Sequence, residues 1–249
     1  MSEPTDAPSV VIVGGGVAGL NAALYTARAG FETTVVNAGE SILRRNGHLE
    51  NVPGFPAGVN PRTFLDLLEE QAAEAGADLV EDEVVSLRRV EGQFVADAAG
   101  NEAYEGDYAV AATKSNPGYL DGFDLDLDQQ GSKTYVRTDD RGRTDVEGLY
   151  IAGRLAAEPH QTAIVAGHGA KVGLTIVEDS EVPYYHDWVA PEGYFTGRGR
   201  DVPPGVEEID EPEREARELD SMERMQDAFA ERHPDEPTMH PSVAEDDDE

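Results

Sequence analysis

The residues best suited to chemistry in this chain are three glycines of the run GGGVAG, residues 14–19. The run follows the apolar segment Val10–Val13 and precedes a helix-like stretch. A strand, a glycine turn and a helix start in this order are typical of a dinucleotide-binding site. In such a site Gly14 permits the turn, Gly16 lets the backbone approach a diphosphate, and Gly19 allows the helix to pack closely on the strand. A glycine-rich turn without a ligand is the alternative.

The elements that would position this turn alternate between strands and helices. Helices are predicted at Leu20–Ala29, from Asn60-Pro61 to Gly76, and at Ala163–Val177. Apolar or β-branched runs predict strands at Val10–Val13, Thr33–Val36, 78–81, Tyr108–Ala112 and Leu149–Ala152. Val84–Val90, Gln93–Ala98 and Ala103–Tyr104 predict an antiparallel meander, whereas Ser115–Gly131 reads as loop. The predicted fold class is α/β: a Rossmann-like parallel sheet with surrounding helices, a small meander and an acidic C-terminal extension.

The charge of the chain excludes polyanionic partners. Its 249 residues include 51 acidic and 19 basic residues, which gives a formal net charge of −32. Such a charge opposes nucleic acid and anionic membrane. The acidic excess spreads along the chain and arginine outnumbers lysine, which indicates a halophilic protein whose hydrated surface suits concentrated salt. The alternative is a mesophilic protein with an acidic interaction tail.

Other absences in the sequence limit the chemistry further. There is no cysteine, which excludes structural disulfides, thiolate metal sites and redox-active cysteine pairs. No apolar run reaches the ~20 residues that span a bilayer, and the N-terminus lacks the basic region of a signal peptide. We therefore expect a cytoplasmic protein.

Three histidines are candidates for chemistry: His48, His160 and His168. They lack the spacing of a metal site, so we expect no metal. We treat each as structural, as a neighbour of a cofactor, or as an acid–base candidate.

Five separated segments, in order, resemble the FAD domain of the low-molecular-weight thioredoxin reductases. They cover roughly residues 9–178 and are Val11–Leu20 with Ala23, His48–Pro56, Ala111-Ala112-Thr113, Thr144–Gly153, and Gln161-Thr162-Ala163 with Gly167 and Gly169. The resemblance implies an α/β fold and FAD bound in an extended pose. It also implies these cofactor-binding residues: Gly14, Gly16, Val17, Ala18, Gly19, Asn37, Asn51, Thr113, Gly153, Arg154, Gln161, Thr162 and Ala163.

The resemblance assigns parts of the flavin to different residues. Asn51 and the start of the helix at Gln161–Ala163 are expected beside the isoalloxazine, where backbone N–H groups stabilise negative charge. The family places an acidic residue where this chain has Asn37, near the adenosine ribose, and Gly-Asp where it has Gly153-Arg154. Arg154 cannot accept a hydrogen bond but can donate to the diphosphate. Lys114 replaces a family glycine and puts a cation at the sheet crossover.

One large departure concerns the reaction. The family carries a complete NADPH domain, with its own glycine fingerprint and the redox cysteines, between the third and fourth segments, whereas here only Lys114–Ser132 fills that gap. We therefore expect an FAD-binding domain at residues 1–179, with halves at about 9–113 and 132–178. The acidic extension, 180–249, is expected to be partly disordered, and Glu207–His233 predicts a charged helix with a thin apolar stripe. Its aromatic residues Tyr184, Tyr185 and Trp188 are expected to cover apolar surface, form a subunit interface or close over the flavin.

The function that follows is that of a flavoprotein oxidoreductase without a nicotinamide domain. Its electrons would come from a substrate or a partner and not from thiol–disulfide exchange, and a homodimer is implied by resemblance. Two alternatives stay open. The chain is a non-catalytic flavin-binding or regulatory subunit that partners a paralogue, or it is a degenerate family member that acts as an interaction module through its tail.

Overall fold

The computed structural model describes residues 7–184 and 186–239. Contacts divide the chain into two compact units, one within Met1–Ile176 and Asp235–Glu249, the other Val177–Pro234. The domain boundary expected near residue 179 stays a prediction. Tyr185 and the last acidic residues lie outside the described residues.

The first unit is built on a five-stranded parallel sheet. Its strands are β1 (Ser9–Val13), β2 (Glu32–Asn37), β3 (Asp78–Glu81), β7 (Tyr108–Ala111) and β10 (Leu149–Ile151), and they lie in the order β10-β7-β1-β2-β3. Its helices are α1 (Val17–Arg28), α2 (Pro61–Glu74) and most of α3 (Thr162–Asp179). Crossover connections join all neighbouring pairs, so the carboxyl ends of the strands meet at one edge. The α/β prediction is confirmed.

Both faces of the sheet are covered. Val11 and Val13 belong to a core with Leu87 and Phe94, which lie on the meander β4 (Val84–Val90), β5 (Gln93–Ala98) and β6 (Ala103–Gly106). The alternate residues of β1 point the other way and are also buried, with Ile12 at 0% exposure. A strand buried on both sides reads as a continuous apolar run, which is why β1 is predictable from sequence.

Helix ends follow local chemistry. The side chain of Asn60 accepts a hydrogen bond from the N–H of Arg62 (2.9 Å), and Pro61 takes the first position of α2. The Asn side chain stabilises the helix start because it accepts a hydrogen bond from a first-turn N–H that has no partner within the helix. Pro suits the first position because it has no N–H that would need a partner. Gly76 follows the last turn with φ +103°, a conformation that glycine adopts without strain. These boundaries match the sequence prediction.

Several segments differ from the sequence prediction. The stretch expected as loop at 115–131 contains a single-turn 3-10 helix, Gly118–Leu120, and β8 (Leu127–Gln130), which pairs antiparallel with β9 (Lys133–Val136). β8 was missed because its side chains are mostly polar and exposed. Another 3-10 turn, Gly153–Ala156, follows β10.

The second unit holds a short parallel pair, β11 (Trp188–Pro191) and β12 (Val206–Ile209), and helix α4 (Glu211–Ala228). The charged helix expected from Glu207 begins later because residues 206–209 pair with β11. Trp188 contacts Tyr194 and Phe195, with ring centroids 4.7 and 5.8 Å away. The expected roles of this aromatic cluster stay predictions. Within the described residues, no helix is long and apolar enough to cross a membrane.

Candidate functional site

A cleft of about 860 Å³ opens at the carboxyl ends of the parallel strands, within the first unit. This volume suits a cofactor-sized ligand. Ten of the thirteen predicted cofactor residues line it, the exceptions being Gly19, Gly153 and Ala163. The structure therefore brings together segments from residue 14 to residue 162 that sequence analysis selected separately.

The glycine turn presents free donors to this cleft. Gly14 has φ +111°, and a Cβ there would lie 2.7 Å from the carbonyl oxygen of Ala112. A Cβ on Gly16 would meet nothing closer than Oγ of Ser41 at 3.8 Å. Gly16 is the N-cap of α1 and supplies no side-chain cap, and the first turn holds no acidic residue. The N–H of Gly14 donates to the carbonyl of Val36 (2.8 Å) and that of Gly15 to the side chain of Asn37. Among the described residues, the donors left for an anionic ligand are therefore the N–H groups from Gly16 onward, at the start of α1.

Two of the three predicted residues outside the cleft, Gly19 and Gly153, act through packing, whereas Ala163 is exposed at the start of α3. A Cβ on Gly19 would lie 1.9 Å from the carbonyl oxygen of Gly14, so only glycine allows α1 to start so close to the turn. Gly153 has φ +68°, and a Cβ there would lie 2.5 Å from Cβ of Ala18. These contacts fix the position of α1 against the turn that carries Arg154.

Asn37 ties the end of β2 to the glycine turn. Its Oδ1 accepts a hydrogen bond from the N–H of Gly15 (2.9 Å), and its Nδ2 donates to the carbonyl of Gly39 (3.0 Å). A Cβ on Gly15 would lie 2.9 Å from the Asn37 side chain. Asn37 therefore lines the cleft while it also positions the turn, a task that sequence analysis did not assign to it.

Two predicted flavin neighbours meet directly. Nδ2 of Asn51 donates to Oε1 of Gln161 at 2.7 Å. The N–H of Gln161 donates to the carbonyl of Pro159 (2.7 Å), and its expected contact with the isoalloxazine stays a prediction. Within the part of the chain that the structure describes, the N–H groups of Thr162 and Ala163 donate to no carbonyl outside α3, which fits the first turn of a helix facing a ligand.

The cleft carries charges of opposite sign at different places. Lys114, Arg154 and His160 line it together with Glu40, Asp82 and Glu83. Nε of Arg154 is buried and has no hydrogen-bond partner among the described residues. Burial lowers the pKa of His160, and the nearby charges of Arg154 and Lys133 lower it further, because like charges disfavour its protonated form.

The other two histidines have different surroundings. The ring of His48 lines the cleft and bonds through Nδ1 to Oε1 of Glu50 (2.7 Å). His168 is buried on α3, where its Nδ1 accepts a hydrogen bond from the N–H of Gly153 (2.9 Å). Burial lowers the pKa of His168 and outweighs Glu158, which raises it. His168 thus holds the turn before Arg154 and does not line the cleft.

Some lining residues were missed by sequence analysis. They include Glu40, Ser41, Leu43, Asn46, Asp82 and Tyr119. The hydroxyl of Tyr119 lies 3.2 Å from Oγ1 of Thr113, and desolvation raises the pKa of the tyrosine. The missed residues lie on irregular segments that carry no periodic pattern, so only their position after strand ends marks them.

The family comparison is specific for the first half of the chain. The family model described as pyridine nucleotide-disulphide oxidoreductase matches residues 8–133. The thioredoxin reductase of Streptomyces clavuligerus is 40% identical over 87 residues, 33% of this chain and 27% of that protein. The thioredoxin reductase of Rickettsia felis is 32% identical over 114 residues, 45% of this chain and 36% of that protein. The matches thus span about a third of these relatives' length.

Solved structures share the fold. The thioredoxin reductase of T. acidophilum aligns with a TM-score of 0.63 at 18% identity, over 70% of this chain and 99% of that chain. The atypical thioredoxin reductase TRi of Desulfovibrio vulgaris Hildenborough aligns with a TM-score of 0.59 at 17% identity, over 72% of this chain and 100% of that chain. FAD is the cofactor of this family, as the sequence analysis predicts. The chain belongs to the pyridine nucleotide-disulphide oxidoreductase family, whose members are FAD-binding flavoproteins.

Proposed function

We propose that this chain is a flavin-dependent oxidoreductase whose cleft holds FAD in an extended pose and whose electrons come from a substrate or partner. One observation carries the proposal: a single cleft is lined both by the uncapped glycine turn of α1 and by the Asn51–Gln161 pair. A dinucleotide is the ligand class that needs a diphosphate site and a distant planar-ring site in one continuous groove.

The residues present fit the parts of FAD. The N–H groups of Gly16, Val17 and Ala18 would bind the diphosphate at the positive end of α1. Glu40 and Asn37 would face the adenosine ribose, and Glu40 supplies there the carboxylate that position 37 lacks. Asn51 would orient the ring through Gln161, and the start of α3 would favour negative charge beside it. Bound FAD supplies the electron-transfer chemistry.

The composition supports the part of the proposal that excludes thiol–disulfide exchange. The chain contains no cysteine, so no dithiol within it can be oxidised or reduced. Between β7 and β10 there is a short 3-10 helix and the β8–β9 hairpin. We therefore propose direct reduction by a substrate or partner, in a halophilic, cytoplasmic and dimeric protein.

The test is a visible absorption spectrum of the purified full chain in high salt, followed by identification of the released cofactor. We expect the two-band flavin spectrum with FAD at about one equivalent per chain, and bleaching by candidate electron donors under anaerobic conditions. A colourless protein that does not take up added FAD would refute the flavoprotein proposal. Bound FAD that only dithionite reduces would support the non-catalytic flavin-binding subunit instead.

A further inference from the structure

The cleft gathers basic side chains that have no carboxylate partner within the described part of the chain. Lys114, Arg154 and His160 line the cleft. Lys133 lies close enough to lower the pKa of His160, as Arg154 does. We call Lys114, Lys133, Arg154 and His160 the cationic cluster. Among the residues that the structure describes, no carboxylate oxygen lies within 4 Å of a side-chain nitrogen of these four.

The fold brings the cluster together from separate elements. Lys114 follows β7, and Lys133 starts β9. The N–H of Thr134 donates to the carbonyl of Ser115 (3.3 Å), which places the start of β9 beside the residue after Lys114. β9 also packs against the 3-10 turn that contains Arg154. The β8–β9 hairpin, which sequence analysis missed, therefore completes the cluster.

The setting makes the cluster unusual. The chain has 51 acidic and 19 basic residues, and only three of the basic residues are lysines, two of them in this cluster. Nε of Arg154 is buried without a hydrogen-bond partner, and an unpaired buried donor raises the free energy of the site unless a ligand satisfies it. Glu40, Asp82 and Glu83 line the same cleft, but none of their carboxylates is paired with the cluster, so the cluster is left to attract an anionic ligand locally.

We propose that the cationic cluster is an oxyanion subsite that binds a carboxylate or phosphate group of the substrate. His160 precedes Gln161, which bonds to Asn51, so the subsite adjoins the place assigned to the flavin ring. The inference rests on the proposed function, because a substrate subsite has meaning only beside a bound cofactor. Arg154 presents a planar fork and Lys114 a point charge, and both groups suit an oxyanion.

The experiment measures anion binding to the FAD-loaded protein. Inorganic phosphate and, separately, oxalate are titrated by calorimetry at constant ionic strength, with the flavin spectrum recorded in parallel. We expect saturable binding of one of the two anions at one site per chain, and the stronger binder identifies the substrate group. The variants Lys114→Gln and Lys133→Gln are each expected to weaken that binding about tenfold, as loss of a charged hydrogen-bond donor does.

The third lysine of the chain supplies the matched control. Lys171 lies on α3 and does not line the cleft, so Lys171→Gln removes the same charge and should leave anion affinity unchanged. Equal losses in all three variants would show a general charge effect and overturn the proposal. Phosphate binding that disappears when FAD is loaded would also overturn it, because the cluster would then serve the diphosphate of the cofactor.

Failure of this inference can be told from failure of the proposed function. The flavin content of each preparation is measured before titration. Full FAD occupancy without anion binding overturns the subsite and leaves the flavoprotein proposal intact. Absence of FAD overturns both.

Discussion

Nδ2 of Asn51 donates a 2.7 Å hydrogen bond to Oε1 of Gln161, a residue 110 positions further along the chain. The bond joins the segment after the 3-10 turn at Ile42–Arg45 to the start of α3. It closes one end of the cleft with two amides that each keep further hydrogen-bonding capacity. The two residues therefore act on a ligand as one unit.

This coupling predicts non-additive effects on cofactor binding. Asn51→Ala and Gln161→Ala should each weaken FAD binding, and the double variant should bind no more weakly than the weaker single variant. The coupling free energy should be about 1 kcal/mol, the typical net contribution of one hydrogen bond. Fluorescence titration of FAD measures all four affinities. Gln161→Glu keeps the acceptor and should retain most of the affinity; strict additivity in the cycle would contradict the coupling.

Two glycines on one helix should respond in opposite ways to the same substitution. A Cβ on Gly169 would lie 2.1 Å from the carbonyl oxygen of Ala18, whereas a Cβ on Gly167 would meet nothing within 4 Å. We expect Gly169→Ala to destabilise the protein by about 1–3 kcal/mol through forced separation of α1 and α3. Gly167→Ala should stabilise it by about 0.5–1 kcal/mol, because alanine favours the helix. Thermal unfolding measures both, and equal midpoints would disprove the close α1–α3 contact.

Lowering the pH should reduce the folding stability of the first unit, because His168 resists protonation in the folded state. Burial lowers the pKa of its ring below the ordinary 6.5, so the folded chain binds fewer protons than the unfolded chain. The stabilising contribution is complete above pH 6.5 and is lost as the pH falls through that value toward the lower pKa of the folded state. Protonation at Nδ1 would also remove the acceptor for the N–H of Gly153.

The variant His168→Gln should flatten the pH dependence of the unfolding free energy between pH 7 and 5. Denaturant unfolding at several pH values in constant salt measures this slope. His48→Gln is the control, because that ring is exposed and bonded to Glu50. An unchanged slope in His168→Gln would show that His168 does not titrate differently in the folded state.

Glu208 should make the second unit sensitive to strong acid. Its carboxylate accepts hydrogen bonds from Oγ1 of Thr196 (2.7 Å) and from the N–H groups of Gly193 (3.1 Å), Thr196 (3.1 Å) and Phe195. The bond from the Thr196 hydroxyl, followed by the backbone donors, lowers the pKa of Glu208 to about 2. The stabilisation is complete above the ordinary value of 4.5 and is lost as the pH falls from 4.5 through 2.

The chain has one tryptophan, Trp188, which packs in the same unit against Tyr194 and Phe195. Its fluorescence therefore reports this transition selectively. Glu208→Gln should lower the denaturant midpoint of the fluorescence change at neutral pH and abolish its dependence on pH below 4.5. Glu192→Gln, on the exposed loop that donates hydrogen bonds to Glu208, should change neither. A wild-type midpoint in Glu208→Gln would exclude a stabilising role for this carboxylate.

The regular part of the fold was predictable because its physics is local. β1, β4 and β5 carry continuous or alternating apolar patterns. Asn60 predicts the start of α2 because its side chain caps that helix. β8 was not predictable, since its polar residues pair only because β9 lies opposite. The same holds for β12, which reads as the start of a charged helix until β11 pairs with it.

The candidate site likewise combines residues that local motifs predict with contacts that the sequence does not predict. The glycine turn, Asn51 and Gln161 lie on recognisable motifs, so the sequence selects them. The link from Asn37 to Gly15 and the approach of Lys133 to His160 depend on how loops return to the strand ends. Such contacts between distant irregular segments leave no period or spacing in the sequence.

The direct pairing of β7 with β10 across a long connection has an evolutionary consequence. They pair directly although 37 residues, 112–148, separate them. A parallel pair needs a crossover whatever its length, and this crossover leaves and re-enters the sheet at fixed points. The connection can therefore lengthen or shorten between lineages without any change in strand order, so that one cofactor-binding framework can acquire different partners by exchange of a single segment.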